Sequence, residues 1–200
     1  PRSTDDPAIH GCLLLRPLAD KAAEEAAGQL LSPDKDVDGM TPGSLAGLLT
    51  GRGGFAPCTA EACMELLRAH GIDPAGRRVT VVGRSLVIGR PAALLLTRAD
   101  ATVTLCHRKT PDLAARCRAA DILLAAAGAP GLITPECVRP GQIVLDAGAT
   151  ALSDGTLRGD VTPAAAAIAA CTPVPGGIGS VTTALLLRHT VQAAEKSHHF

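Results

Sequence analysis

The chain has no tryptophan and no tyrosine, and only two phenylalanines in 200 residues. Tyrosine is thereby excluded as a catalytic acid or base anywhere in it, and a core must come from Ala, Leu, Val and Ile. Net charge is missing too. The 19 Lys and Arg balance 19 Asp and Glu, so the chain has no electrostatic claim on nucleic acid. No apolar run approaches the ~20 residues of a membrane span, and nothing resembles a signal peptide, so no membrane partner is expected. The seven cysteines are odd in number, scattered and never spaced C-x-x-C. That argues against a disulfide framework or a zinc site and fits reduced, buried thiols in a cytoplasmic protein; no metal is expected. What remains is ample for a core: 46% of residues are hydrophobic, over a length that suits one large domain or two small ones.

The most informative stretch is Val79-Thr80-Val81-Val82-Gly83-Arg84-Ser85-Leu86-Val87-Ile88-Gly89-Arg90-Pro91. Val79–Val82 is uncharged and β-branched, as a strand buried on both faces should be. Gly83 ends it, and Pro91–Leu96 reads as a helix with proline in its first turn. Strand, glycine turn and helix start together aim backbone N–H groups and a positive dipole end at one spot, which suits phosphate. The glycine spacing falls short of G-x-G-x-x-G, so a plain βα turn without ligand fits this stretch equally well.

The next strand, Ala101–Leu105, ends in Cys106-His107-Arg108-Lys109. An NAD site would place an acid there to hold the ribose 2′-hydroxyl. Arg108 instead offers a guanidinium that can bind a 2′-phosphate with two hydrogen bonds, and Arg84 can reach the same group. The pair favours NADP, the alternative being two solvated surface arginines.

Around this stretch the chain alternates. Strands are predicted at 79–82, 102–105, 121–126 and 142–145, with helices after the first two and a short one near Pro135–Val138, giving an α/β fold with a mostly parallel sheet. The third and fourth strands end in Ala126-Ala127-Gly128 and Ala147-Gly148-Ala149, small enough to leave a ligand room across the sheet. Thr150–Asp160 reads as an irregular hairpin and Pro163–Ala170 as a short helix. Upstream, His10–Leu15 reads as a buried strand. Asp20 should cap a helix to Leu31, Ser44–Leu49 form a short helix, and Thr59 cap one ending at Gly71. Residues 51–57 are a Gly-rich connector. Val181–Lys196 is predicted as a closing helix, with a frayed end at His198-His199-Phe200.

Several motifs carry a resemblance: His10-Gly11, Lys35-Asp36-Val37-Asp38-Gly39, Pro57-Cys58-Thr59, Gly83-Arg84-Ser85 through Gly89-Arg90-Pro91, Gly159-Asp160-Val161, and Thr172-Pro173-Val174-Pro175-Gly176-Gly177-Ile178-Gly179. In this order, from about His10 to Glu195, the chain resembles the bifunctional methylenetetrahydrofolate dehydrogenase/methenyltetrahydrofolate cyclohydrolase family. The resemblance implies a Rossmann-like NADP domain over 58–172 and an incomplete α/β folate domain over 1–57. A loop and helix over 173–200 would return to the folate side, with a cleft between the domains. It implies NADP-dependent oxidation of 5,10-methylenetetrahydrofolate, hydrolysis of the methenyl product to 10-formyltetrahydrofolate, and a homodimer. Carried onto this sequence, Gly83, Arg84 and Ser85 would hold the cofactor's phosphate and ribose, Arg108 its 2′-phosphate, and Ala149 the nicotinamide side. Asp38, the catalytic candidate, would hydrogen-bond the pterin ring. Pro173, Val174, Pro175 and Gly176 would line the folate pocket.

Three departures stand out. The family's Tyr-x-x-x-Lys helix would lie upstream of His10, and this sequence starts at Pro1 without it. Two accounts fit: a piece of a longer protein, or a truncated relative that binds nucleotide or folate without catalysis. The uncovered edge that half a domain would leave at His10–Leu15 favours the first. The family's Gln-Leu-Pro-Leu run is here Leu15-Arg16-Pro17-Leu18. A glutamine can orient a lysine and a water, and leucine can do neither, so weakened hydrolysis is expected, unless Leu15 is simply core. Ser180 stands where the family usually has proline.

Overall fold

The computed structural model describes residues 2–15 and 18–198, and they form two compact units. The first comprises residues 1–58 and 182–200, the second residues 59–181. Among the described residues no helix is long and apolar enough to cross a membrane.

The second unit is built on five parallel strands, β1 (Arg78–Val82), β2 (Thr102–Cys106), β3 (Ile122–Ala125), β4 (Ile143–Asp146) and β7 (Ala170–Cys171), in the order β2-β1-β3-β4-β7. β1 and β3 are buried throughout their shared length because each has a strand on either side and cover on both faces. β2 lies at an edge and exposes alternate threonines. Helices α4 (Cys58–Ala69), α5 (Gly89–Arg98), α6 (Leu113–Ala119) and α7 (Pro163–Ala166) connect or flank these strands, and a short 3₁₀ turn spans Pro135–Cys137. A small antiparallel hairpin, β5 (Thr150–Ala151) with β6 (Leu157–Arg158), matches the irregular hairpin expected there. Val82, Cys106, Cys117, Leu123, Ile133 and Val144 are among the buried side chains that pack one core of this unit. Gln142, fully buried, donates from Nε2 to the carbonyls of Cys117 and Ala120 at 2.7 and 3.0 Å, closing the C-terminal end of α6.

Four strands lie within one residue of their expected ends, and the fifth was not expected. The alanine-rich run predicted as a helix over Pro163–Ala170 turns only once, capped by Thr162 Oγ1 accepting from the Ala165 N–H at 3.2 Å. Ala170 then joins the sheet edge through its N–H to the Gln142 carbonyl (3.0 Å), and Thr172 through its N–H to that of Val144 (3.0 Å). Sheet pairing here overrides alanine's helix propensity. Helix α4 also begins two residues early, at Cys58, which puts Thr59 inside the first turn rather than at its cap.

The first unit is mainly helical among its described residues: α1 (Arg2–Asp5), α2 (Lys21–Leu30), α3 (Pro42–Thr50) and most of α8 (Ile178–His198). The cap expected at Asp20 is present, Oδ1 accepting from the Ala22 N–H at 2.9 Å. Val37, Phe55 and Ala193 form its core, with Leu186 against them. His189 lies buried on Phe55, ring centroids 4.6 Å apart, and its Nδ1 is 2.8 Å from the Val37 carbonyl. The strand expected over His10–Leu15 does not form. Its one sheet-like contact is an isolated parallel bridge between Cys12 and Asp36, the Cys12 N–H donating to the Lys35 carbonyl at 2.6 Å. With no second neighbour among the described residues there is no ladder to bury it, and Leu13 and Leu15 stand 41% and 73% exposed. Among the described residues, then, Leu15 is not packed into a core. Arg16 and Pro17 of the Leu15–Leu18 run, and His199 and Phe200 of the expected frayed end, lie outside the described residues.

Candidate functional site

The parallel register places the carboxyl ends of β1, β2, β3 and β4 on one edge of the sheet: Val82 pairs Cys106 and Ala125, and Ala125 pairs Asp146. The ladder runs one residue further, with the N–H groups of Gly83, Ala126 and Ala147 donating to Cys106, Val82 and Ala125 at 2.9, 2.8 and 2.8 Å. The strand order reverses direction between β1 and β3, and such a switch point opens a crevice for a ligand.

Gly83 stands at that point with φ +122°, where a side chain would strain, and a Cβ there would run into the Ala126 carbonyl. A Cβ at Gly89 would strike the Gly83 carbonyl. These two glycines let the turn after β1 lie tight against the loop after β3. Not all the turn's amides face outward. The Ile88 N–H donates to Ser85 Oγ (3.1 Å) and the Arg90 N–H to the Ser85 carbonyl (3.0 Å), while Pro91 has no N–H. The helix start is thus a narrower anion site than its glycine count suggests. More of the work falls to the exposed Arg84 and to the Ser85 hydroxyl, whose own proton remains to donate.

Arg108 lies exposed two residues past the end of β2, and neither it nor Arg84 is held in an ion pair among the described residues. Ala149 is exposed just beyond β4. The structure therefore brings Gly83, Arg84, Ser85, Arg108 and Ala149 to one edge of one sheet. The cradle at Gly83 and the two unpaired guanidiniums fit a dinucleotide with a 2′-phosphate. No acid occupies the β2 end.

Pro173, Val174, Pro175 and Gly176 form an irregular turn after β7, with Val174-Pro175 cis and Gly176 at φ +96°. They follow Thr172, whose hydroxyl accepts the Asp146 N–H at 2.8 Å. Asp38 belongs to the first unit. It is half-buried, and its carbonyl accepts the Cys58 N–H at 3.3 Å. The neighbouring Asp36 has the structural part, buried with Oδ2 accepting from the Thr41 N–H and the Ser44 hydroxyl, both at 2.7 Å.

Two acids that residue-type reasoning did not single out hold the sheet's loop edge together. Asp160 is fully buried and accepts three successive amides, those of Ala127, Gly128 and Ala129, at 2.6, 3.1 and 2.7 Å. Asp146 accepts the amides of Gly148, Asp160 and Val161, each at 3.0 Å. Burial pushes the Asp146 carboxyl above its ordinary range, while those three amides pull the other way. The signal available was Gly148 and Gly159, where a Cβ would collide with Asp160 and Asp146 respectively.

Residues 57–198 match the family model described as "Tetrahydrofolate dehydrogenase/cyclohydrolase, NAD(P)-binding domain". The chain belongs to this family. Bifunctional protein FolD 1 of Rhodococcus jostii is 54% identical over 191 residues, covering 94% of this chain and 64% of the relative. FolD of Moorella thermoacetica is 47% identical, covering 96% and 69%. The chain thus spans about two thirds of the length of these FolD relatives. Among solved structures, the FolD methylenetetrahydrofolate dehydrogenase/cyclohydrolase of Campylobacter jejuni superposes with a TM-score of 0.92 at 38% identity, over 97% of this chain and 70% of the other. The Trypanosoma brucei FolD, solved complexed with NADP cofactor and inhibitor, gives 0.90 at 39% identity, over 100% and 71%. As in the FolD family at large, the fold is α/β and Rossmann-like with a mostly parallel sheet.

Proposed function

We propose that this chain carries the dehydrogenase chemistry of the FolD family, oxidising 5,10-methylenetetrahydrofolate to the 5,10-methenyl form with NADP. The observation that carries the cofactor half is Arg108 at the carboxyl end of β2, beside the Gly83 cradle and with no acid in its place. Membership of the family, and a relative solved with NADP, support the rest.

When bound, the cofactor supplies a nicotinamide that accepts a hydride from the substrate's one-carbon bridge. The protein's part is alignment. Arg84 and Arg108 bind phosphate, Ser85 donates its hydroxyl, and the lack of a side chain beyond Cβ at Ala149 leaves the nicotinamide side open. Asp38 holds the pterin by hydrogen bonds, and the 173–176 turn lines the folate pocket. On this reading residues 58–172 are the cofactor domain, 1–57 part of the folate domain, and 173–200 the return to it. The working form is a cytoplasmic homodimer. Hydrolysis to 10-formyltetrahydrofolate is the weaker step, because exposed Leu15 cannot hold the attacking water.

The test is reduction of NADP and of NAD with methylenetetrahydrofolate, on wild type and Arg108→Ala. A charge-assisted contact contributes roughly 1.5–3 kcal/mol. The variant should therefore lose about tenfold or more with NADP and almost nothing with NAD. Equal losses for both cofactors would overturn the assignment.

A further inference from the structure

Three successive N–H groups converging on one point make a ready anion site. Such a nest lies after β3, at the switch point, where Ala127, Gly128 and Ala129 turn their amides inward with Gly128 at φ +63°. A phosphate seeking the sheet's carboxyl edge would find this nest as attractive as the turn after β1. It is filled from within: the Asp160 carboxylate occupies it, and no cation pairs with that carboxylate among the described residues.

We propose that Asp160 is a positioning residue for the dinucleotide, an internal anion that closes the nest after β3 and sets the wall of the cofactor crevice. This rests on the cofactor reading above. Three consequences follow from one carboxylate. It denies the β3 loop to the ligand's phosphate, which leaves the Arg84 side of the crevice as its place. It fixes Ala126, whose carbonyl lies where a Cβ of Gly83 would fall, so the wall opposite the glycine turn cannot drift. It also ties that wall to the nicotinamide side, because Asp146 holds the Asp160 and Gly148 amides together. Ala127 and Gly128 are exposed on their other side, so the loop that Asp160 shapes is one a ligand can touch.

The experiment measures NADPH binding from the fluorescence of the bound dihydronicotinamide, on wild type, Asp160→Asn and Gly128→Ala. The amide of Asp160→Asn presents an N–H₂ to backbone donors and so loses part of the nest while keeping the side chain's shape. Gly128→Ala leaves the carboxylate untouched and has open space around it, but strains the left-handed turn that makes three amides converge. Far-UV circular dichroism and a thermal midpoint are recorded for each. Asp160→Asn is expected to weaken NADPH at least tenfold and Gly128→Ala several-fold, in protein with wild-type secondary structure. A merely structural role would lower the midpoint and leave the dissociation constant of the folded protein within twofold of wild type, which overturns the proposal. If Asp160→Asn does not fold, an unchanged dissociation constant for Gly128→Ala overturns it alone. Wild type that binds NADPH while both variants bind it equally well refutes only the positioning. Wild type that binds neither NADPH nor NADH refutes the cofactor reading, and the positioning with it.

Discussion

The two units of this chain spend similar apolar material in different ways. In the second, Val79, Val81, Ile122, Leu123 and Leu124 are at most 1% exposed, since over their shared length β1 and β3 have strand neighbours on either side and covered faces. In the first, Cys12-Leu13-Leu14-Leu15 is as apolar as any of those strands, yet it makes one bridge and leaves Leu15 73% exposed. Hydrophobicity alone does not make a strand. It needs a ladder of backbone hydrogen bonds to a neighbouring strand, and among the described residues only the second unit provides one.

The sharpest way to break this comparison is to delete a side chain from the well-covered unit. Leu124→Ala removes a fully buried side chain at the middle of β3 and should cost about 2–5 kcal/mol in chemical denaturation. A loss below ~1 kcal/mol would mean the sheet's core is looser than its burial indicates.

The first unit has a polar counterpart. Asp36→Asn keeps the shape but puts an N–H₂ in reach of the Thr41 amide and Ser44 hydroxyl. The expected destabilisation is about 1–3 kcal/mol, with the Pro42–Thr50 helix the first to lose amide-exchange protection. Equal loss of protection across the β1–β4 sheet would show that the two units do not respond separately.

At the opposite end of that sheet from the candidate site, Asp121 receives the Arg78 guanidinium at 2.9 Å, the Arg78 amide at 3.0 Å, and Arg139 at 3.1 Å. Arg78's side-chain and backbone hydrogen bonds, with Arg139's charge, hold its carboxyl down at about 2. The folded value lies below the unfolded one of about 3.9. The stabilisation is therefore complete above that pH and drains away as the pH falls toward 2. Asp121→Asn should cost about 1 kcal/mol at neutral pH, a partly exposed pair being screened by solvent, and should flatten the acid limb of the stability profile between pH 4 and 2. An unchanged limb would place the acid sensitivity elsewhere.

The smallest effect is expected where the exposed leucine stands. Leu15→Ala should change stability by less than ~0.5 kcal/mol. A loss of several kcal/mol would show that this side chain is covered in the working protein, and the contrast between the units would shrink accordingly.

How legible the fold was follows the same physical line. β1 to β4 could be read because each is a short, mostly apolar run bounded by glycine or by Cys-His-Arg-Lys, a pattern that holds for edge strand β2 as well as for the buried strands. Ala170–Cys171 could not, because two residues have no period and the preceding alanines speak for helix. His10–Leu15 misled because its composition is a strand's while its neighbours are not. At the site, Gly83 and Arg108 were readable from chain order, since a strand's end fixes which residues share an edge. Asp146 and Asp160 were not readable as partners, because they are fourteen positions apart and meet through main-chain amides, which carry no residue signature. The role proposed for Asp38 rests on likeness to a family alone, since neither composition nor spacing marks a half-buried loop acid as a ligand.

The Phe55–His189 stack has a spectroscopic consequence. Among the described residues Phe55 is the only benzenoid ring, with the His189 imidazole inclined 27° to it and the Lys196 ammonium 4.3 Å from its centroid. The ring current of Phe55 displaces the imidazole resonances of His189 and the terminal methylene of Lys196 from their random-coil positions. Those displaced lines belong to the first unit, so a one-dimensional spectrum reports its packing by itself, whereas far-UV circular dichroism sums the helices of both units.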